Sequence, residues 1–306
     1  MHAASRDAAF TAAPRAAYGR PDWAVDGKDW PNRACSRFVR AGGLRWHVQI
    51  AGSGPVLLLL HGTGAATHSW RDMLAELAQN FTVVAPDLPG HGFTEQPDTP
   101  GMTLPGMARG VAALLKHLGL EPELAAGHSA GAAVALQMCL QGLMAPQAVI
   151  SLNGALMPLP FHGVARPFMA PLAKLFASNP LVPMLFAWQA ADGKVVNRLL
   201  AGTGSAVDEA GTKFYGRLAR RSGHAGAALK MMANWDLQSF VTSLPKLRTH
   251  LVLIVGGNDR SIPPADAERI MAIVPAAEII TMPGLGHLAH EEAPAETCAL
   301  IRRFSP

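Results

Sequence analysis

Cysteine, aromatic side chains and charge are all scarce in this 306-residue chain, at three cysteines, 6% aromatic and 16% charged residues. Cys35, Cys139 and Cys298 lie far apart, with neither a CxxC pair nor a metal-ligand spacing to histidine. A disulfide framework and a metal site are thereby excluded, each thiol reads as a small apolar side chain, and a reducing cytoplasm is the expected compartment. Apolar runs such as Val56–Leu60 and Leu251–Val255 fall far short of the roughly 20 residues that a membrane-spanning helix needs. The first 20 residues alternate alanine with arginine and lack the unbroken apolar core of a secretory signal. Residues 1–30 are expected to form a loosely ordered arm, with a peripheral membrane anchor or an organelle presequence as the alternatives. The motif GxxxxGK[ST] is absent, and basic residues are not interleaved with aromatics, so no nucleotide or nucleic-acid site is expected, nor any cofactor.

What is present is a large apolar content, 49%, enough for a sizeable core. The formal net charge of +4 is unevenly placed. Residues 157–240 hold nine Lys and Arg (Arg166, Lys174, Lys194, Arg198, Lys213, Arg217, Arg220, Arg221, Lys230) against four acids (Asp192, Asp208, Glu209, Asp236). Such a cluster is either a solvated helical face or an attractor for an acidic substrate or an anionic membrane surface.

Phe38–Arg40 and Leu44–Ile50 flank a glycine turn and predict a hairpin. PVLLLLHG (Pro55–Gly62) is a continuous apolar run ending in glycine, the pattern of a strand buried on both faces. Further strands are predicted at Phe81–Asp87, Leu124–Gly127, Ala148–Leu152, Leu251–Val255 and Glu278–Thr281. Helices are predicted at Ser69–Asn80, Thr103–Leu118, Ala130–Gln141, Pro264–Ile273 and Pro294–Phe304. Strict alternation of strand and helix argues for an α/β fold with a mostly parallel sheet covered by helices on both faces. Residues 157–240 break the alternation with six prolines and many large apolar side chains, and read as a helical cap inserted into a core of 31–156 and 241–306.

Gly127-His128-Ser129-Ala130-Gly131 sits between an apolar strand and an alanine-rich helix. In a G-x-S-x-G arrangement the serine occupies a strained strand-to-helix turn, and small neighbours are needed because backbones approach closely there. A serine needs a base, and the base needs a partner that fixes its tautomer. Asp259 follows the strand Leu251–Val255, and His287 lies on a glycine-rich loop after the next strand, in the order Ser, Asp, His that this architecture requires. Asp87 and Asp236 are alternative acids and His290 an alternative base. Backbone N–H groups of Ala130 and Thr63, with Gly64 as fallback, are the expected oxyanion donors. His61 and His128 flank the site as pocket residues, and Met157, Phe161, Trp188 and Trp235 are expected to line the substrate pocket from the cap side.

With those residues identified, the chain resembles the α/β-hydrolase superfamily from about residue 37 to its end. The matching pieces are HGTG (His61–Gly64), DLPGHG (Asp87–Gly92), GHSAG (Gly127–Gly131), GGNDR (Gly256–Arg260) and PGLGH (Pro283–His287). The resemblance implies an eight-stranded core with a cap over the active site. Haloalkane dehalogenase and epoxide hydrolase branches carry aspartate where Ser129 stands here, so the chain looks unlike those. DWPNR (Asp29–Arg33), GGLRWHVQ (Gly42–Gln49) and LLLHGTGAATHSWRDM (Leu57–Met73) are similar to the hydrolase-like magnesium-chelatase accessory proteins of bacteriochlorophyll biosynthesis. That narrower resemblance implies a setting in bacterial photosynthesis, a tetrapyrrole ligand with propionate or ester tails, and association with magnesium chelatase. Two functions are therefore expected to compete: a serine esterase acting on a lipophilic substrate, and a non-catalytic porphyrin-binding accessory protein. A third keeps the triad and changes the electrophile, since fold does not fix function.

Overall fold

The structure, a computed structural model, describes residues 19–158, 179 and 181–305. Its frame is one eight-stranded sheet: β1 Ser36–Ala41, β2 Leu44–Ala51, β3 Val56–Leu60, β4 Thr82–Pro86, β5 Leu124–His128, β6 Ala148–Leu152, β7 His250–Gly256 and β8 Glu278–Met282. The strand order is β1-β2-β4-β3-β5-β6-β7-β8, and only β2 runs antiparallel to its neighbours.

The helices of the core are α1 Leu74–Leu77, α2 Leu104–Leu118 and α3 Ala130–Leu140 before the interruption. Between β6 and β7 come α4 Leu181–Gln189, α5 Gly193–Gly202, α6 Glu209–Ala219, α7 Ser222–Asn234 and α8 Leu237–Ser243. The chain ends with α9 Ala265–Ile273, α10 Ala289–Glu292 and α11 Pro294–Arg302. Among the described residues no helix is long and apolar enough to cross a membrane.

The continuous apolar strands are explained by the side-chain period of two, which sends neighbours to opposite faces. Leu58 and Leu60 of β3 join Leu251, Leu253 and Val255 of β7 in a core under α2, α3 and α9, whereas Leu57, Leu59, Val252 and Ile254 join Trp70, Leu77, Cys298 and Ile301 on the other face. Each fully buried leucine contributes about 1.5–3 kcal/mol, so both faces are anchored independently. Helix α3 is apolar all round and eight of its eleven residues are buried, as expected for a helix enclosed by sheet and α2.

The predicted helix over 69–80 is instead a short 3-10 turn, Thr67–Trp70, followed by α1. The Arg71 carbonyl is taken by the Asn32 amide at 3.0 Å, and the Thr67 N–H by Asp87 at 2.7 Å, which draws the backbone away from one continuous helix. Against the loosely ordered arm expected over 1–30, residues 19–30 are fixed in place. Trp30 is buried with its indole N–H on Thr67 Oγ1, while Asp26 pairs with Arg221 and Asp29 with Lys213 and Arg217. Residues 1–18 lie outside the described residues.

Strand order reverses on either side of β3, because the chain goes to β4 on one flank and returns to β5 on the other. Ligand crevices of open α/β sheets form at the carboxyl ends of the strands beside such a reversal, and the loops after β3 and β5 carry HGTG and GHSAG.

Candidate active site

Ser129 stands between β5 and α3 with φ 50° and ψ −115°, a conformation that non-glycine residues avoid. The strain is tolerated because the turn is held on all sides: the Ser129 N–H donates to the Leu152 carbonyl, and the Ser129 carbonyl accepts from Ala132 and Ala155. Its glycine neighbours are obligatory. A Cβ at Gly127 would sit 2.4 Å from the Ala132 nitrogen, and one at Gly131 would sit 2.0 Å from the Leu60 carbonyl oxygen. The motif's small residues therefore serve close packing of α3 against β3 and β5.

His287 Nδ1 lies 2.8 Å from Asp259 Oδ2. That carboxylate is fully engaged: Oδ2 also accepts from Asn153 Nδ2 at 2.7 Å, and Oδ1 accepts the N–H groups of Ser261 and Ile262 at 2.7 and 2.9 Å. Burial by itself would raise the Asp259 carboxyl, but the hydrogen bond and charge of His287, joined by Ile262 and Asn153, outweigh it and hold the group below its ordinary value. Asp259 is thus an anion, and its bond to Nδ1 leaves Nε2 of His287 as the ring nitrogen free for proton transfer.

The loop that carries His287 is tied to the serine turn through His128, whose Nε2–H donates to the His287 carbonyl at 2.9 Å. The two imidazole rings lie 4.8 Å apart, and the His290 ring lies 4.4 Å from that of His128. His290, the alternative base, is fully buried and held down to about 3 by burial and by the neighbouring His287 and Arg71, so it is neutral. Asp236 caps α8 through Ser239. Asp87 pairs with His47 at 2.8 Å and accepts from Thr67 and Phe93, all away from His287.

The loop after β3 closes on the same place. A Cβ at Gly62 would meet Ser129 Cβ at 3.1 Å and His128 Nδ1 at 2.7 Å. The loop is a turn with Ala65 N–H on the Gly62 carbonyl at 3.2 Å, and His61 braces it by donating from Nδ1 to the same carbonyl while its Nε2 accepts the Leu88 N–H. The Thr63 N–H, at the tip, has no acceptor among the described residues. Ala130 is the first residue of α3, so its N–H has no acceptor inside the helix. Two unclaimed donors therefore flank Ser129, one from each loop.

The remaining predicted pocket residues are placed differently. His61 and His128 are buried and spend ring nitrogens on the loops. Met157 and Trp235 are half-buried against the core, and Trp188 is 59% exposed on α4. Phe161 lies outside the described residues. Among the described residues no group of His, Cys, Asp and Glu is arranged to hold a metal.

Three supporting residues escape sequence reasoning. Asn153 (φ 48°) follows β6 and bonds Asp259. Glu292 accepts from the Gly286 N–H at 2.8 Å and so fixes the loop before His287. His224, on α7, accepts the Gly92 N–H at 3.0 Å and reaches Gly64 O at 3.0 Å. No motif marks them.

The family described as "Alpha/beta hydrolase family" matches residues 57–300. The magnesium-chelatase 30 kDa subunit of Rhodobacter capsulatus is 37% identical to this chain over 270 residues, covering 87% of this chain and 92% of that protein. The dihydrolipoyllysine-residue acetyltransferase component of the acetoin cleaving system of Cupriavidus necator is 29% identical, covering 94% and 73%. Among solved structures, an epoxide hydrolase from Vigna radiata superposes with a TM-score of 0.71 at 22% identity, covering 88% of this chain and 97% of that one. A serine hydrolase involved in carbazole degradation gives 0.68 at 21% identity with the same coverage. Both share the fold.

Proposed function

This chain belongs to the α/β-hydrolase family, and on that premise we propose that it is a serine hydrolase acting on a carboxylic ester of a lipophilic substrate. The observation that carries the reading is the His287–Asp259 pair, hydrogen-bonded at 2.8 Å and tied by His128 to the strained serine turn. In this reading Ser129 Oγ attacks the ester carbonyl while His287 Nε2 takes its proton, and Asp259 stabilises the imidazolium. The N–H groups of Thr63 and Ala130 receive the developing negative oxygen. His287 then returns the proton to the departing alcohol, leaving an acyl group on Ser129. Water, deprotonated by His287, releases the acid and restores the serine.

The helices between β6 and β7, which we take as part of a cap over 157–240, supply the substrate side. Their basic excess suits an acidic ligand, and the relationship to a protein named as a magnesium-chelatase subunit supports a tetrapyrrole ester of bacteriochlorophyll biosynthesis as the substrate. The same relationship favours a second reading, a non-catalytic porphyrin-binding accessory protein of magnesium chelatase. Peripheral contact with a membrane surface accords with either. Leu181, Leu185 and Trp188 form one exposed apolar face of α4, and Lys194 and Arg198 are exposed on the next helix.

The experiment is a panel of p-nitrophenyl and tetrapyrrole esters, run beside a titration of Mg-protoporphyrin, on the wild-type protein and on Ser129→Ala. Hydrolysis by the wild type alone, with porphyrin binding retained in both, supports the enzyme. Porphyrin binding without turnover of any ester supports the accessory reading.

A further inference from the structure

His224 is the one side chain of the inserted helices that bonds the HGTG loop among the described residues. It belongs to α7, is 2% exposed, and its two ring nitrogens are both used. The Gly92 N–H donates to Nδ1 at 3.0 Å, so Nδ1 is the unprotonated nitrogen. Nε2 therefore carries the hydrogen and donates to the Gly64 carbonyl at 3.0 Å. Helix α7 is seated tightly enough to hold this geometry, since a Cβ on Gly90 would come within 2.7 Å of Ala227 Cβ, one turn along the helix.

The consequence falls on Thr63. The turn Gly62–Ala65 is closed on one side by Ala65 N–H on the Gly62 carbonyl and braced there by His61. The Gly64–Ala65 peptide, at a residue with φ 74°, therefore gives its N–H to the Gly62 carbonyl and takes His224 on its own carbonyl, the one described side chain that holds it. The Gly62 carbonyl and the Thr63 N–H share one planar peptide, so the aim of that N–H is set by the Ala65 and His61 bonds to the carbonyl, and His224 acts on it through the Gly64–Ala65 peptide it holds.

We propose that His224 is a positioning residue for the oxyanion-stabilising loop: seating of the inserted helices holds the Gly64–Ala65 peptide and, through its N–H on the Gly62 carbonyl, steadies the aim of the Thr63 N–H. The inference rests on the serine-hydrolase reading of the same site. Its substrate-facing meaning is that α7 must be docked on the Asp87–Gly92 loop before the turn is competent.

Two near-isosteric variants separate positioning from mere anchoring. His224→Asn keeps an acceptor where Nδ1 receives Gly92 and loses the donor to Gly64, whereas His224→Gln keeps a donor toward Gly64 and loses the acceptor. With a p-nitrophenyl ester, His224→Asn is expected to lower kcat by about tenfold or more at nearly unchanged KM, the signature of a lost transition-state contact. Its affinity for a boronic acid that mimics the tetrahedral adduct should fall in parallel. His224→Gln should stay close to the wild type in both. Hydrogen exchange over residues 61–66 should rise in the Asn variant and much less in the Gln variant, a readout that needs no turnover. If exchange follows that order while the wild type hydrolyses no ester, the clamp stands and the serine-hydrolase reading falls. Equal kcat losses in the two variants, or exchange that ignores residue 224, would overturn the proposal.

Discussion

Asn153 Nδ2 donates to Asp259 Oδ2 across 2.7 Å, onto the same oxygen that faces His287 Nδ1 at 2.8 Å. The amide thus fixes the rotation of the carboxylate, and through it the plane of the imidazole. Asn153 can do so because its left-handed backbone turns the side chain back from the end of β6.

Replacing it with glycine keeps that backbone and removes only the amide. A hydrogen bond to a charged group is worth about 1.5–3 kcal/mol, so kcat/KM for ester hydrolysis by Asn153→Gly should fall roughly ten- to a hundredfold. An unchanged kcat/KM would mean that Asp259 is oriented by its backbone partners alone.

Ser129 supplies a separate test of strain. Its φ of 50° and ψ of −115° suit glycine and burden every residue with a Cβ. Ser129→Gly should therefore unfold at a higher temperature than Ser129→Ala, with a difference of about 1 kcal/mol or more. Calorimetry on the two inactive variants measures it, and equal midpoints would show that the turn is not strained.

Acid should destabilise the fold. His61, His68, His91, His128, His224 and His290 are held below the ordinary imidazole value, burial being the largest cause in each, with His224 near 4 and His290 near 3. Below the unfolded value of about 6.5 the unfolded chain binds protons that the native state refuses, so stability falls by about 1.4 kcal/mol per pH unit for each such histidine. Glu291 works in the opposite sense. Burial, opposed by Arg71 and Tyr215, raises its carboxyl to about 7, so the native state gains from its proton as pH falls toward 4.5. One group does not offset six, and the urea midpoint should drop between pH 7 and pH 5. A flat or rising midpoint would mean that these rings are charged or solvated.

The sheet, and the strand ends that carry the candidate site residues, were legible because both are encoded locally. Strands such as β3 show unbroken apolar runs ended by glycine, and Ser129, Asp259 and His287 each follow a strand within a short glycine-bearing motif. The region of 67–80 was less legible because its backbone groups are claimed by Asn32 and Asp87, each many residues away. Asn153 and His224 were hidden for the same reason: their partners lie 106 and 160 residues distant, and periodicity carries no trace of such pairing.

Elsewhere the chain holds a hydrogen-bonded Ser–His–Asp connection, with Asp87 Oδ2 2.8 Å from His47 Nδ1 and His47 Nε2 3.0 Å from Ser36 Oγ. Ser36 sits in extended backbone at the start of edge strand β1, without a strained turn or a following α-helix, and its hydroxyl also accepts from Gln49. Connectivity alone therefore does not single out a nucleophile, and the proposed role of Ser129 rests instead on its strained turn between two donor loops.

The decisive measurement is reaction of the wild-type protein, Ser129→Ala and Ser36→Ala with a fluorophosphonate, followed by peptide mapping of the adduct. A single adduct on Ser129, abolished in Ser129→Ala and retained in Ser36→Ala, is the expected result. Labelling of Ser36, or no labelling of a folded wild-type protein, would contradict the account.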